Sequence, residues 1–211
     1  PKAIISITEK VHGTSGISAY VLCKQPLNWK QKIAKWFTGE EFNKYDYLYS
    51  SRTVIKNQYY NKKAGNGFYG VDVWKYADDI VKPHLQKGMT VYYEIVGFLP
   101  NGGYIQKNYD YGCVPPTGEE YIHGEHFWVR PYRITLTNVD GKVHEFSAKE
   151  VQQWCAFTGL QSVKEWYYGY AEDLYSDLAP SEHWNENFLQ RLANDKQFYM
   201  ELNSPICANK V

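Results

Sequence analysis

At 211 residues with 44% hydrophobic content, the chain can bury one substantial core or two small ones, which excludes a disordered polymer. Its 23 Lys and Arg balance 23 Asp and Glu, which argues against a protein that coats nucleic acid through global attraction. No apolar run approaches a membrane-spanning length and no charged-then-apolar signal segment opens the chain, so a membrane partner is not expected.

The first apolar run, with Ile4, Ile5 and Ile7, predicts a strand over residues 3–8. It is followed by Thr8-Glu9-Lys10-Val11-His12-Gly13-Thr14-Ser15 and then by a second strand over residues 17–23. Lys10 therefore stands between two strands, beside a glycine that lets a ligand approach the backbone closely. A second Lys-x-x-Gly string, Lys62-Lys63-Ala64-Gly65, lacks a preceding strand and reads as a solvated basic loop. Residues 24–63 hold nine Lys and Arg against three Asp and Glu, a net of +6, whereas residues 108–203 hold seven against fifteen, a net of −8. That asymmetry suggests a phosphate-facing surface in the first third, or else a solvated lysine-rich helix around Lys30, Lys32 and Lys35.

Further along, Val73, Ala77, Ile80 and Val81 recur at helical spacing and predict a helix over 73–85 that Pro83 can end early. Strands are expected over 91–97, 127–138 and 143–146, the last two joined by the turn signal Asp140-Gly141. A capping box, Ser147-Ala148-Lys149-Glu150, starts a helix that buries Val151, Trp154 and Cys155 before Gly159 stops it. A longer helix over 181–202 carries Trp184, Phe188, Leu192, Tyr199 and Leu202 on one stripe. Strands and helices do not alternate regularly, so the expected class is an antiparallel α+β fold rather than a doubly wound one. The four cysteines are scattered, with no Cys-x-x-Cys pair, and point to a reduced, intracellular protein. His123-Gly124-Glu125-His126 lacks the helical spacing of a zinc pair, and no metal ligands are assigned there. Aromatic residues make up 17% of the chain, including 20 Tyr and 7 Trp, as sheet faces or base-stacking surfaces require.

In chain order, Lys10-Val11-His12-Gly13, Ser51-Arg52, Val91-Tyr92-Tyr93-Glu94-Ile95-Val96-Gly97 and Phe127-Trp128-Val129-Arg130-Pro131-Tyr132-Arg133-Ile134 resemble the lysine, arginine, acidic-strand and aromatic-strand motifs of ATP-dependent RNA ligases. These belong to the covalent nucleotidyltransferase superfamily. His12 stands where DNA ligases and capping enzymes usually carry Asp, which disfavours those two alternatives; a non-catalytic nucleotide- or RNA-binding derivative is the other.

The resemblance implies an antiparallel-sheet adenylylation (nucleotidyltransferase) fold with flanking helices over residues 1–211. It implies ATP and Mg2+ as the small molecules used, and RNA with 5′-phosphate and 3′-hydroxyl ends as the substrate. Lys10 becomes the nucleophile, forming a lysyl-AMP intermediate. Its amine must lose a proton although lysine's reference pKa is about 10.4, and neighbouring cations, a Mg2+ and Arg52, would favour that loss.

Glu94 is expected on the ribose hydroxyl, and Glu9 on the adenine amino group through its side chain or backbone. His12 and Gly13 are placed beside the phosphates. One of Phe127 and Trp128 is expected to stack on the base, because strand alternation lets only one face the site; Phe127 is favoured and the other goes to the core. A complete ligase core would continue with a Glu-Gly-x-Val strand and a Lys-x-Lys strand, so the chain is expected to be an excerpt lacking these. Asp140-Gly141-Lys142-Val143 and Lys30-Gln31-Lys32 only mimic them.

Overall fold

The computed structural model describes residues 1–39, 41–57, 68–107, 109, 111–178 and 181–198. It is a mixed α+β structure with two antiparallel sheets, one of two strands and one of six. The small sheet pairs β1 (Ile4–Thr8) with β8 (Glu165–Tyr170). The large sheet has the order β4-β3-β2-β5-β6-β7. Its strands are β2 (Thr14–Lys24), β3 (Asn43–Ser50), β4 (Ile55–Lys56), β5 (Met89–Gly97), β6 (Phe127–Thr137) and β7 (Val143–Glu145). The chain therefore leaves one sheet at Thr8 and enters the other at Thr14, and the Lys10 segment is the crossing.

Alternation along β5 decides where the core lies. Val91, Tyr93 and Ile95 point to one face and are fully buried, while the intervening Tyr92 and Glu94 are half-exposed on the other. The buried face is covered by α2 (Val73–Val81) and α3 (Ala148–Thr158), which bring Val73, Trp74, Ala77, Val81, Val151 and Cys155 onto the same core. Both helices start and stop where side-chain chemistry directs. Asp72 caps α2, and α2 gives way to a tight turn at Lys82–His84 containing Pro83, which cannot donate a helical hydrogen bond. Ser147 and Glu150 form the capping box of α3, and Gly159 ends it at φ 75°.

The hairpin expected at Asp140-Gly141 joins β6 to β7, with Gly141 at φ 78°. Lys30 and Lys32 belong to α1 (Trp29–Thr38), inserted between β2 and β3. The long helix expected over 181–202 is shorter: α5 spans Trp184–Asn194 and a separate turn covers Lys196–Phe198. The break comes at Asp195, whose backbone turns extended while its carboxylate accepts from the Tyr175 hydroxyl at 2.7 Å. Trp184 and Phe188 nevertheless pack as their spacing requires, against Ala171 of α4 (Ala171–Leu174), Tyr175 and Ile5 of β1. Cys23 and Cys155 are free thiols, while Lys62-Lys63-Ala64-Gly65, Tyr199, Leu202 and Cys207 lie outside the described residues.

Candidate functional site

Glu9 to Gly13 runs across the outer face of β5, and a cleft of about 440 Å³ opens there, lined by Thr8, Glu9, Lys10, Val11, His12, Gly13, Glu94, Gln106, Tyr132 and Val163. A second cleft of about 560 Å³ adjoins it, sharing Gly13 and Glu94 and adding Ser15, Tyr49, Ser51, Arg52, Thr53, Lys56, Tyr69 and Trp74 among its walls. Residues separated by more than eighty positions in sequence thus meet at one place. Lys10, His12 and Gly13 come from the crossing, Glu94 from β5, and Arg52 from the β3–β4 turn.

Gly13 is required by packing. A Cβ there would stand 2.1 Å from the Ile95 carbonyl oxygen and 2.7 Å from Val96 Cγ1. That tight seat lets the Gly13 amide donate to Glu94 Oε1 at 3.2 Å. Burial raises the Glu94 carboxyl above its ordinary value, opposed by the Gly13 hydrogen bond and the Lys10 charge. Lys10 is exposed at the cleft wall, whereas Glu9 next to it is buried. The Glu9 carboxyl is likewise raised by burial, with Arg130 and Lys164 pulling it back down, and its amide donates to the Lys164 carbonyl at 2.8 Å. His12 is held by its backbone, which donates to the Tyr111 hydroxyl, and its ring lies 4.9 Å from that of Tyr109. Arg52 is exposed on a turn set by Ser51, whose hydroxyl accepts from the Val54 amide at 3.1 Å.

The expectation for the aromatic strand needs correction. Phe127 is 1% exposed in the main core, stacked on Tyr121 at 4.3 Å, and lines neither cleft. Trp128 does lie on the outer side, opposite Val96, but the Arg130 guanidinium covers its ring at 4.6 Å. The aromatic in the cleft is Tyr132. Between Tyr92 and Tyr93 the β5–β6 register shifts, so that Tyr93 faces Pro131 and Tyr92 faces Arg133, leaving Tyr132 as the extra residue of a bulge. The bulge changes the parity of β6: Phe127 and Val129 enter the core before it, Ile134 after it, and Tyr132 stays 43% exposed. Pro131 was the available signal, because proline within a central strand marks a bulge.

Lys56, Tyr49, Trp74 and Gln106 also line the clefts without having been singled out in sequence. Lys56 pairs with Asp72 at 2.5 Å, and Asp72 also accepts from the Tyr49 hydroxyl at 2.9 Å. Trp74 donates from its indole to the Ser15 carbonyl at 2.9 Å, tying α2 to the start of β2. His123 is structural: its Nε2 accepts from the Val129 amide at 3.1 Å, and burial pushes its pKa down to about 4. Among the described residues, no three His, Cys, Asp or Glu side chains gather as a metal site, and no helix is long and apolar enough to cross a membrane.

Two carboxylates, Glu9 and Glu94, stand with Lys10 and the exposed Tyr132 at the first cleft, while hydroxyls, Arg52 and the Asp72-paired Lys56 stand at the second. The chain matches no protein-family model and no curated protein.

Proposed function

We propose that the chain is an ATP-dependent RNA ligase, or the adenylylation unit of one, acting through Lys10. The observation that carries this reading is the convergence of Lys10, His12, Gly13 and Glu94 on one cleft and Arg52 on the cleft that adjoins it. In this reading the antiparallel α+β fold is a nucleotidyltransferase fold. ATP is the substrate, with its ribose on Glu94, its adenine against Tyr132 and near Glu9, and its phosphates toward Arg52 and Lys56.

The Lys10 amine, once deprotonated, attacks the α-phosphorus. An N–P bond forms, the bond to the bridging oxygen breaks, and pyrophosphate leaves in line. The resulting AMP is passed to a 5′-phosphate of RNA, and a 3′-hydroxyl then displaces AMP to form the phosphodiester. Charge on the departing pyrophosphate is met by Arg52, whose planar guanidinium suits two phosphate oxygens. Mg2+ would be carried mainly by the substrate phosphates, with Glu94, which lines both clefts, as the carboxylate that would hold it, and would supply further neutralisation of the leaving group. The Glu94 carboxylate, raised in pKa by burial, gains from hydroxyl donors, since a ribose replaces water it has lost.

Incubation with α-labelled ATP or GTP and Mg2+, followed by a denaturing gel, tests the reading. Label on wild-type protein from ATP alone, absent from Lys10→Ala, is the expected result. Label from GTP would indicate capping chemistry, and acid-labile AMP on Lys10→Ala would remove Lys10 as nucleophile. No label with either nucleotide would leave a binding module. Lys10→Ala should change stability by less than about 0.5 kcal/mol, as an exposed position predicts.

A further inference from the structure

β3 carries a second pattern that the nucleotide cleft does not use. Tyr45, Tyr47 and Tyr49 alternate along one face of the strand, paired across β2 with Leu22, Tyr20 and Ser18. Tyr20 stacks on Tyr47 at 4.2 Å with the rings 9° apart. Each of the three tyrosines has an ammonium over its ring: Lys87 at 5.6 Å from Tyr45, Lys82 at 4.7 Å from Tyr47 and Lys56 at 5.8 Å from Tyr49. Lys56 is engaged with Asp72, but Lys82 and Lys87 have no ion pair among the described residues.

At one end this row opens into the cleft, through Tyr49, Lys56 and Arg52. At its other end the β2–β3 ladder closes with the Gln25 amide donating to the Phe42 carbonyl at 3.0 Å, and α1 stands immediately beyond.

α1 has no buried residue. Trp29, Ile33, Trp36 and Phe37 recur along one stripe, exposed by 68%, 49%, 79% and 73%, and Lys30 and Lys32 flank it. The helix contains no acidic side chain, and among the described residues the one acid bridged to it, Glu41, takes up Lys35 at 2.6 Å. So large an unpaired aromatic surface marks an interaction site. Its flanking charge, and its continuity with a basic row that ends at the cleft, select an anionic polymer reaching toward that cleft.

The geometry points to a docking track for a single RNA strand, running from α1 along β3 to Arg52, with phosphates on Lys30, Lys32, Lys87 and Lys82 and unstacked bases on Trp29 and Trp36. It rests on the RNA-ligase reading for the identity of the polymer. β3 alone spans roughly 25 Å at about 3.3 Å per residue and α1 stands beyond it, so contact with the whole track grows with the length of the strand. Aromatic stacking and lysine-phosphate contacts are the usual means of holding single strands without reading their sequence.

Binding of 5′-phosphorylated single-stranded RNA of 6 and 24 nucleotides, followed by fluorescence anisotropy, tests the track. Wild-type protein should bind the 24-mer at least about tenfold more tightly than the 6-mer. Trp29→Ala with Trp36→Ala, and separately Lys82→Ser with Lys87→Ser, should each weaken the 24-mer about tenfold and leave the 6-mer and AMP attachment unchanged. The lysine pair should also lower the salt slope by about 1.4, at about 0.7 per released phosphate contact.

Unaltered 24-mer binding in both double variants overturns the track. So does a tryptophan pair that abolishes only binding to phosphatidylserine vesicles, or only self-association in sedimentation, because α1 then serves a membrane or a second copy. Track-dependent binding without any AMP attachment upholds the track and removes the ligase reading; AMP attachment with track-independent binding does the reverse.

Discussion

The two faces of the large sheet are made by the same strands and differ in what they can tolerate. On the face under α2 and α3, Val91, Tyr93, Ile95, Phe127, Val129 and Ile134 are all at most 1% exposed. On the other, Glu94 and Tyr132 line a cleft together with Glu9 and Lys10. Even where the core face is polar it is self-sufficient: Ser18 donates to Asp78 at 2.7 Å and shares a hydrogen bond with the Tyr93 hydroxyl at 3.0 Å. The outer face instead holds carboxyls that burial raises, Glu94 against the Gly13 amide and Lys10, and Glu9 against Arg130 and Lys164. Under α2 and α3 the sheet is complete as folded, and in the proposed reading the outer face is completed by a ligand.

The sharpest way to break that contrast is at the two aromatics of β6. Phe127→Ala should cost about 3–5 kcal/mol, because it leaves a cavity among Tyr121, His123 and the core strands. Tyr132→Ala should cost less than about 1 kcal/mol, yet weaken ATP binding about tenfold through lost stacking. Thermal unfolding and nucleotide titration on both variants decide it. A Tyr132→Ala protein with unchanged nucleotide affinity would return base stacking to Trp128 or to the second cleft.

Gly13 sits at the seam between the faces, and its substitution comes next in size. Gly13→Ala drives a methyl into the Ile95 carbonyl and Val96, both part of β5, so the crossing must lift off the strand. A loss of about 1–3 kcal/mol is expected, together with displacement of the backbone amide that Glu94 accepts from. Adenylylation should fall more than stability does. A variant destabilised but labelled at the wild-type rate would show that the Gly13–Glu94 contact is structural only.

The same contrast explains how far the residues alone could be read. The strands of the core face were legible because alternation over 91–97 and the helical spacing of Val73, Ala77 and Val81 each repeat several times. Capping chemistry at Ser147 and Gly159, and the Asp-Gly turn, are local signals that no distant contact overrides. β3 and β8 were not foreseen. Their tyrosine-rich runs, Asn-Lys-Tyr-Asp-Tyr-Leu-Tyr-Ser and Glu-Trp-Tyr-Tyr-Gly-Tyr, contain few aliphatic residues; β8 pairs with β1 at the opposite end of the chain, and α1 separates β3 from its partner β2.

In the candidate site, Lys10, Glu94 and Arg52 were readable as an ordered set, and the structure brings them to adjoining clefts. Tyr132 was missed because simple alternation from Phe127 fails at the bulge. Lys56 was missed because its position depends on a two-residue strand and its pairing with Asp72.

The smallest expected effect on stability has the opposite sign to the others, and it tests whether the outer face is strained in waiting for a ligand. Burial raises the folded-state pKa of Glu94 above its unfolded value of about 4.3. The folded chain therefore binds the proton more tightly than the unfolded chain does. Stability from this group is full below the unfolded pKa and is lost as pH rises through the folded one. At pH 7 the ionised carboxylate is a net burden, softened by Lys10 and by the Gly13 amide.

Glu94→Gln keeps an oxygen for that amide and removes the charge. The variant should match the wild type near pH 4 and exceed it by up to about 1 kcal/mol at pH 7, while losing about tenfold in ATP affinity for want of a charged acceptor. Denaturant unfolding across pH 4 to 8 measures the first part and nucleotide titration the second. If Glu94→Gln is instead less stable at pH 7, the carboxylate's pairing with Lys10 outweighs its desolvation, and Glu94 belongs to the framework rather than to the ligand.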